Sequence, residues 1–558
     1  MTSSSNVGFK EVWSLIKPWW RSEEKKLAWV GVLFLVILSI LSVYIGVILN
    51  DWSRDFFNAL EQKNLPEFFR LIRVFFILVA IFLFEACTRA YFVMWYGFRW
   101  RRWLTEKLSN QWFEENAYYK IHFLSGDTDN PDQRIAHDIN QYTNLTVTLF
   151  MNFFREGINF VTFAIILWNL SDIIYFKIFN YSLPVYGSLV WAALLYALFG
   201  IIVVLKVGRP LIGFDIISEK LEANFRYHLV RIRERREEIV KLQGELFEKN
   251  RLKEGFSAIT ANFYKVLQQT IYINIFQNFH LNGQLFIPLM IVGSRYFSGA
   301  ITLGILMQIR GVFAEVVGSL NLFMQSYIQI AGWLASIKRI HTFEDSLTQV
   351  KSTYVNKPQA GTNIQIKDLT ILSPNQSIIL KLANFTLNRG DRVLLKGASG
   401  LGKTSLVRVL AGIYPYFRGR ITAPSANELF ILPQRPYMPL GSLRQVLSYP
   451  SEFFDDQSLK ESMKACQLDH LIDSLEEIDD WQNRLSLGEQ QRVNFVRVLL
   501  HKPEWLIMDE PISNLDHKTA IHLMGILQES LPAVAMLIIS HQHEDDFKNF
   551  SVVKLGKI

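Results

Sequence analysis

Residues 27–49 run without a single charged side chain, and a helix needs about 20 mainly apolar residues to cross the hydrocarbon of a bilayer. That run commits the chain to a membrane before any other feature is weighed. Five further stretches read as spans. They are 71–95, carrying Arg73, Glu85 and Arg89; 147–170, interrupted by Arg155 and Glu156; 185–205, free of charge; 271–292; and 301–330, holding Arg310 and Glu315. Buried helices of a soluble protein would suit the third, fifth and sixth taken singly, but the first and fourth exclude that reading for the set. Composition agrees: half of the 558 residues are apolar, 14% are aromatic and only 20% are charged, against about 25% charged in an ordinary soluble protein. The first run is too long for a signal-peptide core and no small-residue cleavage site follows it, so it is expected to be an uncleaved anchor.

The cations orient these spans. Arg99, Arg101 and Arg102 open the stretch after the second span, and Arg226, Arg231, Arg233, Arg235 and Arg236 lie after the fourth. The opposite loops, 50–70 and 171–184, are shorter and poorer in Lys and Arg. Positive-inside logic puts both termini and the two long loops, 98–146 and 206–270, in the cytoplasm. The net charge of +7 is thereby explained by topology, and nothing else points to nucleic acid as a partner. Cys87 and Cys466 fall in different predicted compartments, so no disulfide framework is expected.

Residues 336–363, with Pro358, Gly361 and few apolar side chains, read as a linker. From Ile364 the pattern changes to short β-branched runs, turn residues and helices, as in an α/β domain. The domains expected are therefore 1–335 in the membrane, the linker 336–363, and 364–558. Within the last, the strand-like 392–396 leads straight into Gly397-Ala398-Ser399-Gly400-Leu401-Gly402-Lys403-Thr404, with Ser405 and a helix-like stretch behind it. This is a complete phosphate-binding loop. Its glycines let backbone N–H groups converge on phosphate oxygens at the positive end of a helix. Lys403 adds a charge for the β- and γ-phosphates, and the Thr404 hydroxyl suits Mg²⁺. Further on, the apolar Trp505-Leu506-Ile507-Met508 closes in Asp509-Glu510. Asp509 can hold Mg²⁺ and Glu510 can polarise an attacking water as general base. Alone, such a pair could be a strand ending in a solvated acidic turn; after a phosphate loop it points to ATP hydrolysis.

From here the chain resembles the ABC ATPases over essentially all of 364–558. Leu485-Ser486-Leu487-Gly488-Glu489-Gln490-Gln491-Arg492 is similar to the family's signature motif, with Leu487 where the common pattern has glycine. Gln434 fits the Q-loop, Ser513-Asn514-Leu515-Asp516 the D-loop, and Ser540-His541 the switch histidine. The resemblance implies that Ser486 and Gly488, with Glu489 beside them, meet the γ-phosphate of ATP held by an opposing subunit. It implies as well that His541 touches that phosphate within its own chain, and that Gln434 links the metal site to the membrane domain. Leu372-Ser373-Pro374 stands where many members place an adenine-stacking tyrosine, so an aromatic from elsewhere would have to substitute.

In the membrane half, Asn130-Pro131-Asp132-Gln133-Arg134-Ile135 with Asp138, Glu222 to Arg226 with Gly244-Glu245, and the run Leu432 to Gly441 resemble one branch of these transporters. That branch contains the peroxisomal subfamily D transporters and the bacterial SbmA/BacA-like transporters with fused ATPase domains. The resemblance implies a multi-domain membrane protein: a six-helix transmembrane domain of the exporter-type ABC fold, and an α/β P-loop ABC ATPase domain. It implies ATP and Mg²⁺ as cofactors, a second identical chain as partner, and a bacterial inner membrane with both termini and the ATPase domain cytoplasmic. The cargo it suggests is bulky and hydrophilic, a peptide or a cobalamin-like compound, with a lipid or acyl-CoA as the alternative. An ATP-gated channel or regulator without pumping is a further alternative, against which the intact Glu510 and His541 argue. Asp132, Arg134 and Glu222 are expected in coupling contacts of the long loops. Glu85 and Arg89 are expected to pair across one helix turn, while the adjacent Arg155 and Glu156 are expected to find partners elsewhere. Several of these charges, with Arg310 and Glu315, are candidates to line a polar cavity. His280 is expected to be a core histidine, and Phe153, Phe154, Trp168 and Trp191 to face lipid or the interface.

Overall fold

The computed structural model describes residues 9–124, 130–172, 174–178, 181–353, 358–398, 400–425, 428–451, 453–540, 547 and 549–555. Contacts divide the chain into two units, one of residues 1–110 and 130–344 and the other of residues 111–129 and 345–558.

Among the described residues, five helical stretches are long and apolar enough to cross a membrane: Lys25–Glu61, Leu65–Ile121, Pro131–Leu170, Ser188–Glu234 and Leu303–Leu322. The expected spans 27–49, 71–95 and 147–170 fall within them, and 185–205 and 301–330 overlap the last two. The expected fifth, 271–292, lies in the helix Glu245–Phe297, which is not one of the five. The reason is its load of Asn274, Gln277, Asn278, His280, Asn282 and Gln284, which lowers its hydropathy below that of its neighbours. That helix nevertheless packs along Ser188–Glu234. Asn262 Nδ2 donates to Phe214 O at 3.0 Å, and Tyr196 hydroxyl donates to His280 O at 2.6 Å.

Small residues set how closely these helices approach. A Cβ at Gly200 would lie 2.5 Å from the His280 ring, and one at Gly304 would lie 2.1 Å from Arg54 O. His280 is buried and its ring stacks on Tyr196 with centroids 4.2 Å apart, the core role expected of it. Trp168 and Trp191 are exposed, as expected of membrane-facing rings. Near the N-terminus, Trp19 is fully buried and stacks on Trp100 at 6.2 Å, fastening the helix Phe9–Arg21 to the helix Leu65–Phe113.

The ion pairs are mostly mutual. Arg89 Nε meets Glu85 Oε1 at 2.9 Å, as expected from their spacing. Arg155 Nη2 meets Glu156 Oε1 at 2.5 Å, which corrects the expectation of separate partners: the long arginine stem reaches round the helix to its neighbour. Arg134 pairs with Asp138, and Arg339 grips the same carboxylate at 2.9 and 2.6 Å. Asp132 and Glu222 are exposed. Glu315 accepts from Asn159 Nδ2 at 3.0 Å.

Residues 336–353, expected in the linker, instead continue the helix Leu303–Thr353. Ile337, Ile340, Phe343, Leu347 and Val350 recur every three or four residues and all are buried. That apolar stripe holds the segment helical.

The second unit is built on a five-stranded parallel sheet in the order Ser551–Lys554, Arg392–Lys396, Ala535–Ile539, Trp505–Asp509, Leu429–Leu432. Side chains alternate across a strand, and the two faces bury different partners. Leu394, Leu506, Met508, Met536 and Ile538 enter a core shared with the helix Leu487–His501. Val393, Leu395, Trp505, Ile507, Leu537 and Ile539 enter another, with the helix Lys403–Leu410 and a four-stranded sheet that includes Ile364–Leu372 and Ile378–Leu387. The helix Ala117–Leu124, from the first long loop, belongs to this unit; Ala117, Lys120 and Ile121 are buried and Tyr119 lies within electrostatic range of Arg408.

Candidate nucleotide site

The strand Arg392–Lys396 ends at Gly397, and the chain turns through Gly400 (φ 81°) and Gly402 (φ 83°) into the helix Lys403–Leu410. Both values lie in the left-handed region that glycine tolerates without strain. At Gly402 a second constraint acts, because a Cβ would stand 2.5 Å from Ile379 Cγ2. Lys403 Nζ donates to Gly397 O at 2.5 Å and Ala398 O at 3.2 Å, so the ammonium is held inside the curl of the loop. Leu401 packs beneath it on the core, and Ser405 follows Thr404 in the helix's first turn. Ser399 lies outside the described residues.

Thr404 Oγ1 donates to Asp509 Oδ2 at 3.0 Å. Asp509 ends its strand buried, 6% exposed. Burial pushes its carboxyl above the ordinary carboxylate range and the neighbouring Glu510 charge pushes the same way, against the Thr404 hydrogen bond and the Lys403 charge. Glu510 follows with φ 50° and its N–H bonded to Ile539 O at 2.8 Å. The strand therefore stops there and the Glu510 side chain leaves the sheet. Gln434 Nε2 donates to Glu510 Oε2 at 3.1 Å. The Thr404 hydroxyl and the Asp509 carboxylate thus meet, with the Gln434 amide bonded to the adjoining Glu510; hydroxyl, carboxylate and amide oxygens are donors suited to a hard cation such as Mg²⁺. Thr404, Asp509 and Gln434 are the residues that would hold it. His541 lies outside the described residues.

The signature residues stand on the other face of the sheet. Ser486 caps the helix Leu487–His501: its Oγ accepts from Glu489 N–H at 3.3 Å and donates to Glu489 Oε2 at 2.7 Å. Ser486 N–H donates to the same oxygen at 2.9 Å. Burial alone would raise the Glu489 carboxyl, but these bonds hold it below its ordinary range. Leu487 is 62% exposed, which explains why leucine is accepted there, whereas a Cβ at Gly488 would lie 3.2 Å from Asn514 O. Sequence reasoning missed the brace behind this contact: Gln491 Nε2 donates to Ser513 Oγ at 2.9 Å and Gln491 Oε1 accepts from Asn514 N–H at 3.0 Å. Asp516, the last residue of the D-loop, caps the helix His517–Ser530 by accepting from Thr519 N–H at 3.1 Å.

Family models match the chain twice, as ABC transporter transmembrane region 2 over residues 15–297 and as ABC transporter over residues 380–513. A protein of Escherichia coli strain K12, the inner membrane ABC transporter ATP-binding protein YddA, is 31% identical over 95% of this chain and 94% of its own length. This chain is an ABC transporter. The mouse ATP-binding cassette sub-family D member 3 is 25% identical over 73% of the chain and 67% of that protein. A bacterial Atm1-family ABC exporter solved with ATP bound shares the fold, with TM-score 0.75 at 16% identity over 94% of this chain and 93% of that one. The transporter hydrolyses ATP with Mg²⁺, and that hydrolysis is coupled to transport across the membrane in which it is embedded. Its half-transporter fold implies a dimer.

Proposed function

We propose that this ABC transporter works as a homodimer in a bacterial inner membrane, both termini and its ATPase domains cytoplasmic, and moves bulky hydrophilic solutes such as peptides or cobalamin-like compounds. ATP bound at Lys403 and Thr404 of one chain meets Ser486 and Gly488 of the other. Thr404, Asp509 and Gln434 would hold Mg²⁺, Glu510 takes a proton from the attacking water, and His541 contacts the γ-phosphate. The observation that supports two composite sites is the sheet itself, which sets the phosphate loop and the signature helix on opposite faces of one chain.

Hydrophilic cargo is supported by the fifth expected span. Asn274, Asn278 and Asn282 recur every four residues along one face of the helix Glu245–Phe297 and all are exposed. Polar side chains at membrane depth usually face a water-filled path and not lipid. One observation favours a lipid or acyl-CoA instead: Phe153, Phe154, Gly157, Ile158, Val161 and Thr162 form an open, mainly apolar surface along the helix Ile139–Leu170, against which an acyl chain could lie. Stimulation of ATP hydrolysis by candidate cargoes tests the choice. Peptide or cobalamin is expected to raise turnover of the reconstituted protein. Stimulation by acyl-CoA alone would shift the assignment to the second reading, and basal turnover unmoved by any solute would favour a gate over a pump.

A further inference from the structure

Glu489 uses its two carboxylate oxygens differently. Oε2 takes both the hydroxyl and the backbone N–H of Ser486, at 2.7 and 2.9 Å. Oε1 meets His470 Nε2 at 2.9 Å. His470 stands on a short 3-10 turn, Asp469–Ser474, and that turn is not loosely placed. The neighbouring Cys466 and Leu468 are buried, and Arg492, the last residue of the signature run, donates to Gln467 O at 2.7 Å. The segment from Gln467 to His470, outside the signature motif, is therefore tied to it twice, by Arg492 at Gln467 O and by Glu489 at the His470 ring.

We propose that His470 is a positioning residue of the composite ATP site: its imidazole N–H holds Glu489 so that Glu489 presents Ser486 to the nucleotide of the second chain. Two physical effects combine. A carboxylate with one oxygen unengaged can rotate, and rotation would break the two bonds that orient Ser486. In addition, Glu489 is an anion beside a place that must receive a polyphosphate, and a hydrogen-bond donor offsets that repulsion. His470 touches neither nucleotide nor metal in this scheme. Its effect falls on ATP capture, while the chemistry at Glu510 is unchanged.

The inference rests on Ser486 facing the second chain's ATP, and the test separates the two. Steady-state ATP hydrolysis by the full-length protein in proteoliposomes would be measured for wild type, Ser486→Ala, His470→Ala and His470→Gln. Ser486→Ala is expected to raise KM for ATP. His470→Ala is expected to raise it about two- to fivefold with kcat nearly unchanged, the size of one half-exposed hydrogen bond. His470→Gln, which keeps an N–H donor, is expected to recover most of the loss. A Ser486→Ala variant with unaltered KM would overturn the composite-site reading. A raised KM for Ser486→Ala beside an unaltered KM for His470→Ala would overturn the role of His470 alone. Equal losses in His470→Ala and His470→Gln would also overturn it, since the donor would then not matter.

Discussion

Asp138 and Asp509 are both buried carboxylates, one in the membrane unit and one in the ATPase unit, and their surroundings treat them oppositely. Asp138 is fully buried and is gripped by Arg134 and by both arms of Arg339, so its charge is more than balanced by protein. Asp509 receives a hydroxyl from Thr404, and its neighbour in sequence is a second acid. The difference sorts structural charges from functional ones. A carboxylate balanced by arginines is finished as it stands; one whose carboxyl is pushed up by burial and by a second acid, at the end of a strand, is suited to binding a cation. By the same measure Glu85–Arg89 and Arg155–Glu156 are partnered structurally, which moves the search for a cargo path to the exposed amides of the helix Glu245–Phe297.

The contrast can be broken by substitution. Glu510→Gln is expected to lower ATP turnover at least about 100-fold, the usual loss for a general base, with nucleotide still bound. Asp509→Asn should abolish Mg²⁺-dependent hydrolysis without lowering the melting temperature of the metal-free protein. The sign follows from the raised carboxyl: a group whose folded pKa lies above its unfolded value lends stability at low pH and loses it as pH rises through the folded value. At neutral pH the charged Asp509 is therefore a burden, and a neutral amide relieves it. Asp138→Ala should do the reverse, leaving two arginines facing a void; a loss of about 3 kcal/mol is expected, seen as a lower melting temperature in detergent with the ATP affinity of the surviving folded protein intact. If Asp138→Ala were harmless and Asp509→Asn unfolded the protein, the contrast would collapse.

Two smaller effects sharpen it. Because protons compete with Mg²⁺ for Asp509, and its carboxyl protonates above the ordinary range, turnover at limiting Mg²⁺ should fall on acidification and recover when more Mg²⁺ is added. A pH profile insensitive to Mg²⁺ would contradict this. In the signature, Gly488→Ala should raise KM for ATP severalfold, since its Cβ would press on Asn514 O. Leu487→Gly should cost no more than about 1 kcal/mol, the backbone-entropy penalty of glycine in a helix, because the leucine side chain itself is exposed.

The nucleotide site was legible in the sequence because its parts are contiguous. Gly397 to Thr404 and Trp505 to Glu510 each carry a strand, a turn and the reacting groups within one short run, so spacing alone predicts geometry. The brace from Gln491 to Ser513 and Asn514, and the contact of His470 with Glu489, join residues far apart in the chain, and no local pattern announces them. The membrane half was legible where apolar side chains run unbroken, as at 27–49, and less so at 271–292, where amides dilute the hydropathy. Residues 336–353 were misjudged for a different reason: their polar positions resemble a linker by composition, but Ile337, Ile340, Phe343, Leu347 and Val350 carry a helical period that composition ignores.

The most direct measurement is movement of labelled peptide and labelled cobalamin into proteoliposomes, with Glu510→Gln as the inactive control and ATP either trapped inside or added outside. ATP-driven transport of a hydrophilic solute predicts accumulation of at least one cargo with one placement of ATP, lost in Glu510→Gln; luminal ATP would make the protein an importer and external ATP an exporter. Cargo movement equal in wild type and Glu510→Gln, or hydrolysis with neither cargo moved, would contradict it.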